Sequence, residues 1–334
     1  MNDLISVIIP FYEVPGIQLR YCIDSFLQQS YRNFELIIID DGNVNSTYEE
    51  LINVYEKKDK RIKFLHQEKS GVSEARNNGI KQASGKYIVF CDSDDFVESN
   101  FLAEMYCNMV YNDLVICSVA EQWFPVINSR SDFQYFVSQP SQYNYPQYVN
   151  FSVNKMYKKS ILDKYAIHFD SNMQMGEDAL FVSSYLQHCQ YIKCISNNLY
   201  HYRWNEFSAM HKYNPSFWED EKKVIERQYE LFHAFPLNDK EEKFMERWLY
   251  IKFKDAFYYY LHSLQNKNDI KKYIDEIVKY NLFKKVVHIS MKKNKLFNKN
   301  DRIILSLWKI FGANGAMFMQ YGSKLKHFLL YKKF

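Results

Sequence analysis

The chain has 334 residues, 47% of them hydrophobic and 25% charged, enough for one sizeable core and a smaller second one, which excludes a disordered or low-complexity polymer. Its 28 Tyr and 26 Phe suit cores and flat ligand-stacking surfaces alike. The formal charge of +4 conceals an asymmetry: residues 281–334 hold twelve Lys/Arg against the single acid Asp301, which leaves residues 1–280 at a net −7. Sign alone leaves nucleic acid, anionic lipid and acidic polymer open as partners of the basic end.

The first segment, "LISVIIPFY", is a continuous apolar run without a basic leader or small-residue cleavage site, so a cytoplasmic location is expected. The six cysteines at 22, 91, 107, 117, 189 and 194 form no C-x-x-C pair and no zinc-type spacing, which fits a reducing compartment without a disulfide framework. "LRYCIDSFLQQ" then has helical spacing and "FELIIIDDG" is a second continuous run, as strands covered on both faces require. "STYEELINVYEKK" reads as a helix with Ser46 and Glu49 at capping-box spacing. The strand "IKFLHQ", the helix "GVSEARNNGIKQA" and the strand "KYIVFCD" follow. Strands alternating with helices predict an α/β fold with a central, mostly parallel sheet and helices on both faces.

Residues 96–120 fit a helix and the strand "DLVICSV", and residues 121–150, rich in Ser, Gln, Tyr, Asn and Pro, read as a long surface loop or lid. From about residue 215 the pattern is helical and amphipathic, clearest in "FWEDEKKVIERQYELFHAF" and "KEEKFMERWLYIKFKDAFYYYLHSL". The expected division is a catalytic domain over 1–215, with a nucleotide-binding half (1–95) and an acceptor half (96–215), and a helical region over 216–334.

In a parallel sheet, ligands bind at the carboxyl ends of the strands. Those ends are Pro10-Phe11-Tyr12-Glu13, Asp40-Asp41-Gly42 and Asp92-Ser93-Asp94-Asp95, so acids gather at one edge. Three carboxylates within four residues repel one another unless a cation or strong donors neutralise them. Asp92 and Asp94, at i and i+2, share a side if the chain stays extended. Oxygen-only donors point to Mg²⁺ or Mn²⁺, which share coordination with substrate phosphates; an acidic turn that merely caps a helix is the plainer alternative. Neither G-x-G-x-x-G after the first strand nor G-x-x-x-x-G-K-[ST] is present, so a metal-held diphosphate is the remaining reading. Glu177 and Asp178 in "MGEDALF" open a helix after a glycine, a place that suits a catalytic base held ionised or a charge that complements the helix dipole.

"SVIIPFY", "FELIIIDDG", "GVSEARNNGI" and "YIVFCDSDD", in this order and spacing, resemble the family 2 glycosyltransferases of the GT-A fold, and "NKMYKKSIL" and "GEDALF" carry the resemblance to about residue 215. It implies a Rossmann-like GT-A domain with a helical C-terminal region. It also implies that Pro10, Tyr12 and Glu13 line the nucleotide pocket, that Asp40 contacts the base and that Arg76 lies against the nucleotide. Asp92 and Asp94 match the family's D-x-D, with Asp94 as direct metal ligand and Asp92 nearer the ribose or metal. Many members carry Asn where this chain has Glu13. The E-D pair Glu177 and Asp178 carries the base in the resembling family, Asp178 being the expected one. In "LYHYRWNEFSAMH", similar to a segment that closes over the donor diphosphate, Arg203 and Ser208 are the candidates, and His201 or His211 is open as a further metal ligand.

The implied reaction is a single, inverting displacement from a nucleotide-sugar donor, a UDP-sugar by the resemblance, to a glycan acceptor, in a bacterial capsule, exopolysaccharide or wall polymer. The basic C-terminal stretch is interrupted before about twenty apolar residues accumulate. It suits peripheral contact with an anionic membrane at the inner face, homo-oligomerisation or an ordinary packed subdomain, and the acceptor is open between a lipid-linked and a soluble or polymeric glycan. A catalytically silent nucleotide-sugar-binding scaffold is the alternative that the intact Asp92, Asp94 and Asp178 argue against. A nucleotidyltransferase would need a glycine-rich basic loop after the first strand, which "PFYEVPGIQ" lacks. Nucleic-acid binding lacks any motif and ranks last.

Overall fold

The computed structural model describes residues 3–43, 46–119, 150–203, 214–234, 237–263, 267–289, 295 and 297–312. They fall into two compact units that divide between residues 203 and 214.

The first unit is built on an eight-stranded sheet of order β3-β2-β1-β4-β7-β6-β8-β5. Strands β1 (Ile5–Phe11) and β2 (Phe34–Asp41) are buried at every position, which is why both read as unbroken apolar runs. They pair in parallel, and β4 (Tyr87–Phe90) and β3 (Ile62–Gln67) extend the parallel set on either side. Helices α1 (Gly16–Leu27), α2 (Ser46–Lys58) and α3 (Val72–Gln82) make the crossovers. The side chains of the expected Ser46–Glu49 capping box lie outside the described residues.

Beyond β4 the sheet changes character. After α4 (Phe101–Met109) comes β6 (Leu114–Val119), and β7 (Lys155–Lys158) runs antiparallel to both β4 and β6. Helices α5 (Lys159–Lys164) and α6 (Glu177–Leu186) lead to β8 (Ile192–His201), parallel to β6 with register shifts at Cys117, Ser118 and Val119. The two-residue β5 (Phe96–Val97) closes the order antiparallel to β8. Parallel pairing thus dominates the first half and mixes with antiparallel pairing in the second. The expected loop at 121–149 lies outside the described residues.

Helix α3 approaches the sheet closely because Gly79 has no side chain: a Cβ there would meet Ile8 Cγ2 at 2.4 Å and Ile39 Cδ1 at 2.8 Å. The helix also buries Ala75, Arg76 and Asn77. Asn77 locks the helix to the chain ahead of α6, donating to the Phe169 carbonyl (2.9 Å) and accepting from the Phe169 amide (2.8 Å). Phe169 stacks on Phe181 at 4.0 Å, and Phe90 meets both rings edge-on. An aromatic floor of this kind resists deformation because close-packed rings have few alternative arrangements.

The second unit comprises α7 (Phe217–His233), α8 (Asp239–Ser263), α9 (Lys267–Lys279), α10 (Asn281–Val287) and α11 (Lys299–Phe311). Its core is aromatic, centred on Trp218, Phe253, Phe257, Tyr260, Phe283 and Trp308. Buried Asp301 joins α11 to α8: it accepts from Arg247 (2.9 Å) and Tyr250 (3.0 Å) while serving as the third residue of the capping box opened by Asn298. This ion pair explains why the one acid of the basic C-terminal stretch is buried and not on the surface.

Gly79→Ala is expected to lower unfolding free energy by about 1–3 kcal/mol through overpacking of Ile8 and Ile39. Urea denaturation measures this, and a loss under about 0.5 kcal/mol would contradict the tight seating of α3.

Candidate active site

The site forms where β1, β2 and β4 end and α3 and α6 begin. Its centre is Arg76 on α3, only 3% exposed. One guanidinium nitrogen donates to Asp178 Oδ1 at 2.7 Å and stands 3.6 Å from Glu177 Oε1, and the other donates to Asp92 Oδ1 at 2.9 Å. The guanidinium lies 5.2 Å from the Phe169 ring centroid, on the aromatic floor. Arg76 therefore brings together Asp92, from the end of β4, and the acid pair at the start of α6. Its Nε is buried with no partner among the described residues.

Local structure aims each of these groups. Gly176 takes a left-handed conformation (φ 79°) that turns the chain into α6 and puts Glu177 and Asp178 in its first turn, where the helix dipole favours negative charge. Behind Asp92, the Cys22 and Cys91 thiols lie 3.6 and 3.4 Å from its carbonyl, and the Tyr200 hydroxyl lies 3.2 Å from its amide. Asp95 is buried and fully engaged, accepting from the Tyr200 hydroxyl at 2.6 Å and the Arg203 amide at 2.8 Å. The short β5–β8 pairing sets Val97 opposite Tyr200 and so delivers this anchor.

Crowded carboxylates in a partly dry site hold protons more tightly. Burial, with Asp178 adding repulsion and Arg76 opposing, lifts the Glu177 carboxyl to about 7. Burial and Asp92 push Asp95 to about 8. Asp92 is raised by burial against the pull of Arg76, while Arg76, ringed by Asp178, Asp92 and Glu177, stays firmly charged despite its burial.

On the other side of β1, Asp40 is buried with both oxygens in use: Oδ1 accepts from the Asn43 amide and side chain (2.8 and 2.6 Å), and Oδ2 lies 3.1 Å from His66 Nδ1. Pro10 is buried in β1 opposite Ile39. Tyr12 is 37% exposed, with the Lys69 ammonium 3.7 Å over its ring and its hydroxyl donating to Glu13 at 2.9 Å. Glu13 is left-handed (φ 47°), a region in which Asn is several-fold enriched and Glu is uncommon. Arg203 lays its guanidinium 5.2 Å from the Tyr21 ring and 5.0 Å from the Phe96 ring. His201 stacks on Phe96 and pairs through Nε2 with Glu98 at 2.6 Å, while Ser208 and His211 lie outside the described residues.

For a divalent cation, the donor set is short but of the right kind. Asp94 has no partner for its carboxylate among the described residues, and Asp92 has one oxygen on Arg76 and the other uncommitted. No group of three His, Cys, Asp or Glu among the described residues could hold a metal ion. Two carboxylates fit a hard cation that takes its other ligands from phosphate and water.

Sequence reasoning missed Asp41, Asp95 and Tyr200. Asp41 accepts from Gln67, the Ser70 amide and the Gly71 amide (2.8, 2.8 and 2.9 Å), tying the end of β2 to the start of α3. The doubled acids at 40–41 and 94–95 were the available signal: the second acid of each pair, Asp41 and Asp95, accepts from backbone amides. Nothing local marks Tyr200, which reaches Asp95 across 105 positions.

Residues 6–166 match the family described as Glycosyl transferase family 2. The glycosyltransferase EpsJ of Bacillus subtilis is 27% identical over 92% of this chain and 93% of its own, and GlyG of Streptococcus pneumoniae 29% identical over 63% and 74%. A solved structure of S. aureus TarS 1–349 in complex with UDP-GlcNAc superposes with a TM-score of 0.69 at 16% identity, covering 98% of this chain and 92% of that one.

The Glu177 proton has a testable consequence. With its pKa raised from 4.5 to about 7 on folding, its contribution to stability is complete below the lower value and lost as pH rises through the higher. The melting temperature of Glu177→Gln should therefore fall less between about pH 5 and pH 8 than that of the wild type. Parallel pH profiles in scanning calorimetry would contradict this.

Proposed function

Because this chain belongs to the family 2 glycosyltransferases and has their GT-A fold, we propose that it is an inverting enzyme that moves a sugar from a UDP-sugar to a hydroxyl of a glycan acceptor. One observation carries the reading: a single buried guanidinium holds Asp92 on one side and Asp178 on the other. Inverting transfer needs a leaving diphosphate and an attacking hydroxyl on opposite faces of one carbon, hence two kinds of acid close together but not equivalent. The UDP-GlcNAc complex of the structural neighbour supports a uridine diphosphate donor.

Residues 1–95 bind the nucleotide in this account and residues 96–215 the acceptor, with the helical region from 216 onward outside the chemistry. Pro10, Tyr12, Glu13 and Asp40 take the base and ribose side, where the Tyr12 ring is accessible for stacking. Arg76, Asp92 and Arg203 take the sugar-diphosphate side, and Ser208, outside the described residues, is assigned to the donor by the sequence resemblance alone. Asp94, with the free oxygen of Asp92, would hold Mn²⁺ or Mg²⁺. When bound, the cation supplies positive charge against the departing diphosphate. Asp178 keeps Oδ1 on Arg76 and receives the acceptor proton on Oδ2, while burial holds the Glu177 carboxyl beside it well above the usual carboxylate range. The acceptor is a growing bacterial capsule, exopolysaccharide or wall glycan, carried on lipid at the inner membrane face.

Incubation with a panel of UDP-sugars and Mn²⁺, with and without chelator, tests this by release of UDP. The wild type should release UDP only with metal, Asp94→Ala should lose that release, and Asp178→Ala should bind donor normally yet turn over about 10²–10⁴-fold more slowly with acceptor. Donor binding without turnover under every acceptor condition would instead mean a silent nucleotide-sugar-binding protein.

A further inference from the structure

Helix α11 buries Asp301, Leu305 and Trp308 against its unit and leaves the opposite face open. On that face Ile303 is 51% exposed and Ile310 70%, with half-buried Leu307 between them. Ile303 and Ile310 are seven residues apart, two helical turns, so they form one strip along the helix.

The exposed charges of α11 itself have one sign. Lys299 and Lys309 are exposed on the same helix, with half-buried Arg302 beside them, and Lys284 and Lys285 are exposed on the preceding α10. None of the five pairs with a carboxylate among the described residues; Arg302 donates to the Phe297 carbonyl and Lys285 to the Tyr229 hydroxyl. The one acid of this stretch, Asp301, is buried and engaged by Arg247. The chain continues from residue 313 with Lys324, Lys326, Lys332 and Lys333 and no acid.

We propose that the outer face of α11 is a membrane-docking surface that lies flat on an anionic phospholipid layer, its apolar strip in the acyl boundary and its lysines among the phosphates. A helix with an apolar strip bordered by cations binds at such an interface by burial and charge together. No helix among the described residues is long and apolar enough to cross a membrane, so the contact is made in the plane of the surface. A second copy of the chain is the poorer occupant. A two-fold contact through this face would set Lys299, Arg302 and Lys309 against the same cations with no acid to offset them. The surface belongs to the second unit alone and does not depend on the donor chemistry.

Co-sedimentation of the full chain with vesicles tests the proposal, comparing phosphatidylglycerol–phosphatidylethanolamine with phosphatidylcholine. The wild type should bind the anionic vesicles, more weakly as salt rises, and leave neutral ones in the supernatant. Ile303→Glu/Ile310→Glu and, separately, Lys299→Glu/Lys309→Glu should each reduce binding about tenfold or more. All four side chains are exposed, so far-UV circular dichroism, melting temperature and UDP release should match the wild type, which separates a failure here from a failure of the transferase reading. Absence of binding to anionic vesicles, or binding unchanged in both variants, would overturn the proposal. So would light scattering that finds a wild-type oligomer converted to monomer by Ile303→Glu/Ile310→Glu, which would make the face a contact between copies.

Discussion

A guanidinium taken out of water is tolerated only if carboxylates surround it, and carboxylates crowded together are tolerated only if a cation separates them. Arg76 satisfies both conditions at once, with Asp92, Glu177 and Asp178 as its ring. Neither set of charges is stable without the other, so the position of α3 on the sheet fixes the relation of the β4 acids to the α6 acids. Gly79 lets the helix seat against Ile8 and Ile39, Asn77 locks it to Phe169, and the Phe90–Phe169–Phe181 cluster supports the guanidinium from below. Arg76 is thus a positioning residue as well as a donor-side one.

That arrangement bears on the chemistry. A carboxylate held by arginine through one oxygen keeps its direction and leaves the other oxygen for a proton. Glu177 and Asp178 are neighbours in sequence, yet they stand differently to Arg76: Asp178 makes the short contact and Glu177 the long one. Two carboxylates with different environments at one site are how acid and base roles come apart. Asp94, whose carboxylate has no partner among the described residues, is open to a ligand.

Much of the first half of the fold was legible because buried parallel strands leave unbroken apolar runs and their helices leave 3.6-residue spacing. β1, β2 and α3 read this way. β5 was not, since two residues carry no periodicity, and the turn to antiparallel pairing at β7 was not, since pairing direction leaves no mark within a four-residue strand. At the site, the clustered acids announced themselves by their mutual repulsion, which requires compensation. What compensates them was not legible: Arg76 is 16 residues from Asp92 and 102 from Asp178. An arginine on an amphipathic helix looks solvated until tertiary structure supplies its partners. Asp301 is the same case in the second unit, an acid in a basic stretch whose burial only Arg247 explains.

The central claim, that Asp92 and Asp178 are coupled through one guanidinium, is tested most directly by a double-mutant cycle of Asp92→Asn and Asp178→Asn read by equilibrium unfolding at neutral pH without metal or donor. Each single change leaves Arg76 one strong partner and relieves repulsion from its neighbour; the double change leaves it only the 3.6 Å contact to Glu177. The account predicts that the double variant is destabilised beyond the sum of the singles by about 1 kcal/mol or more. Additivity within about 0.3–0.5 kcal/mol would mean that the two acids stand independently and that Arg76 does not join them.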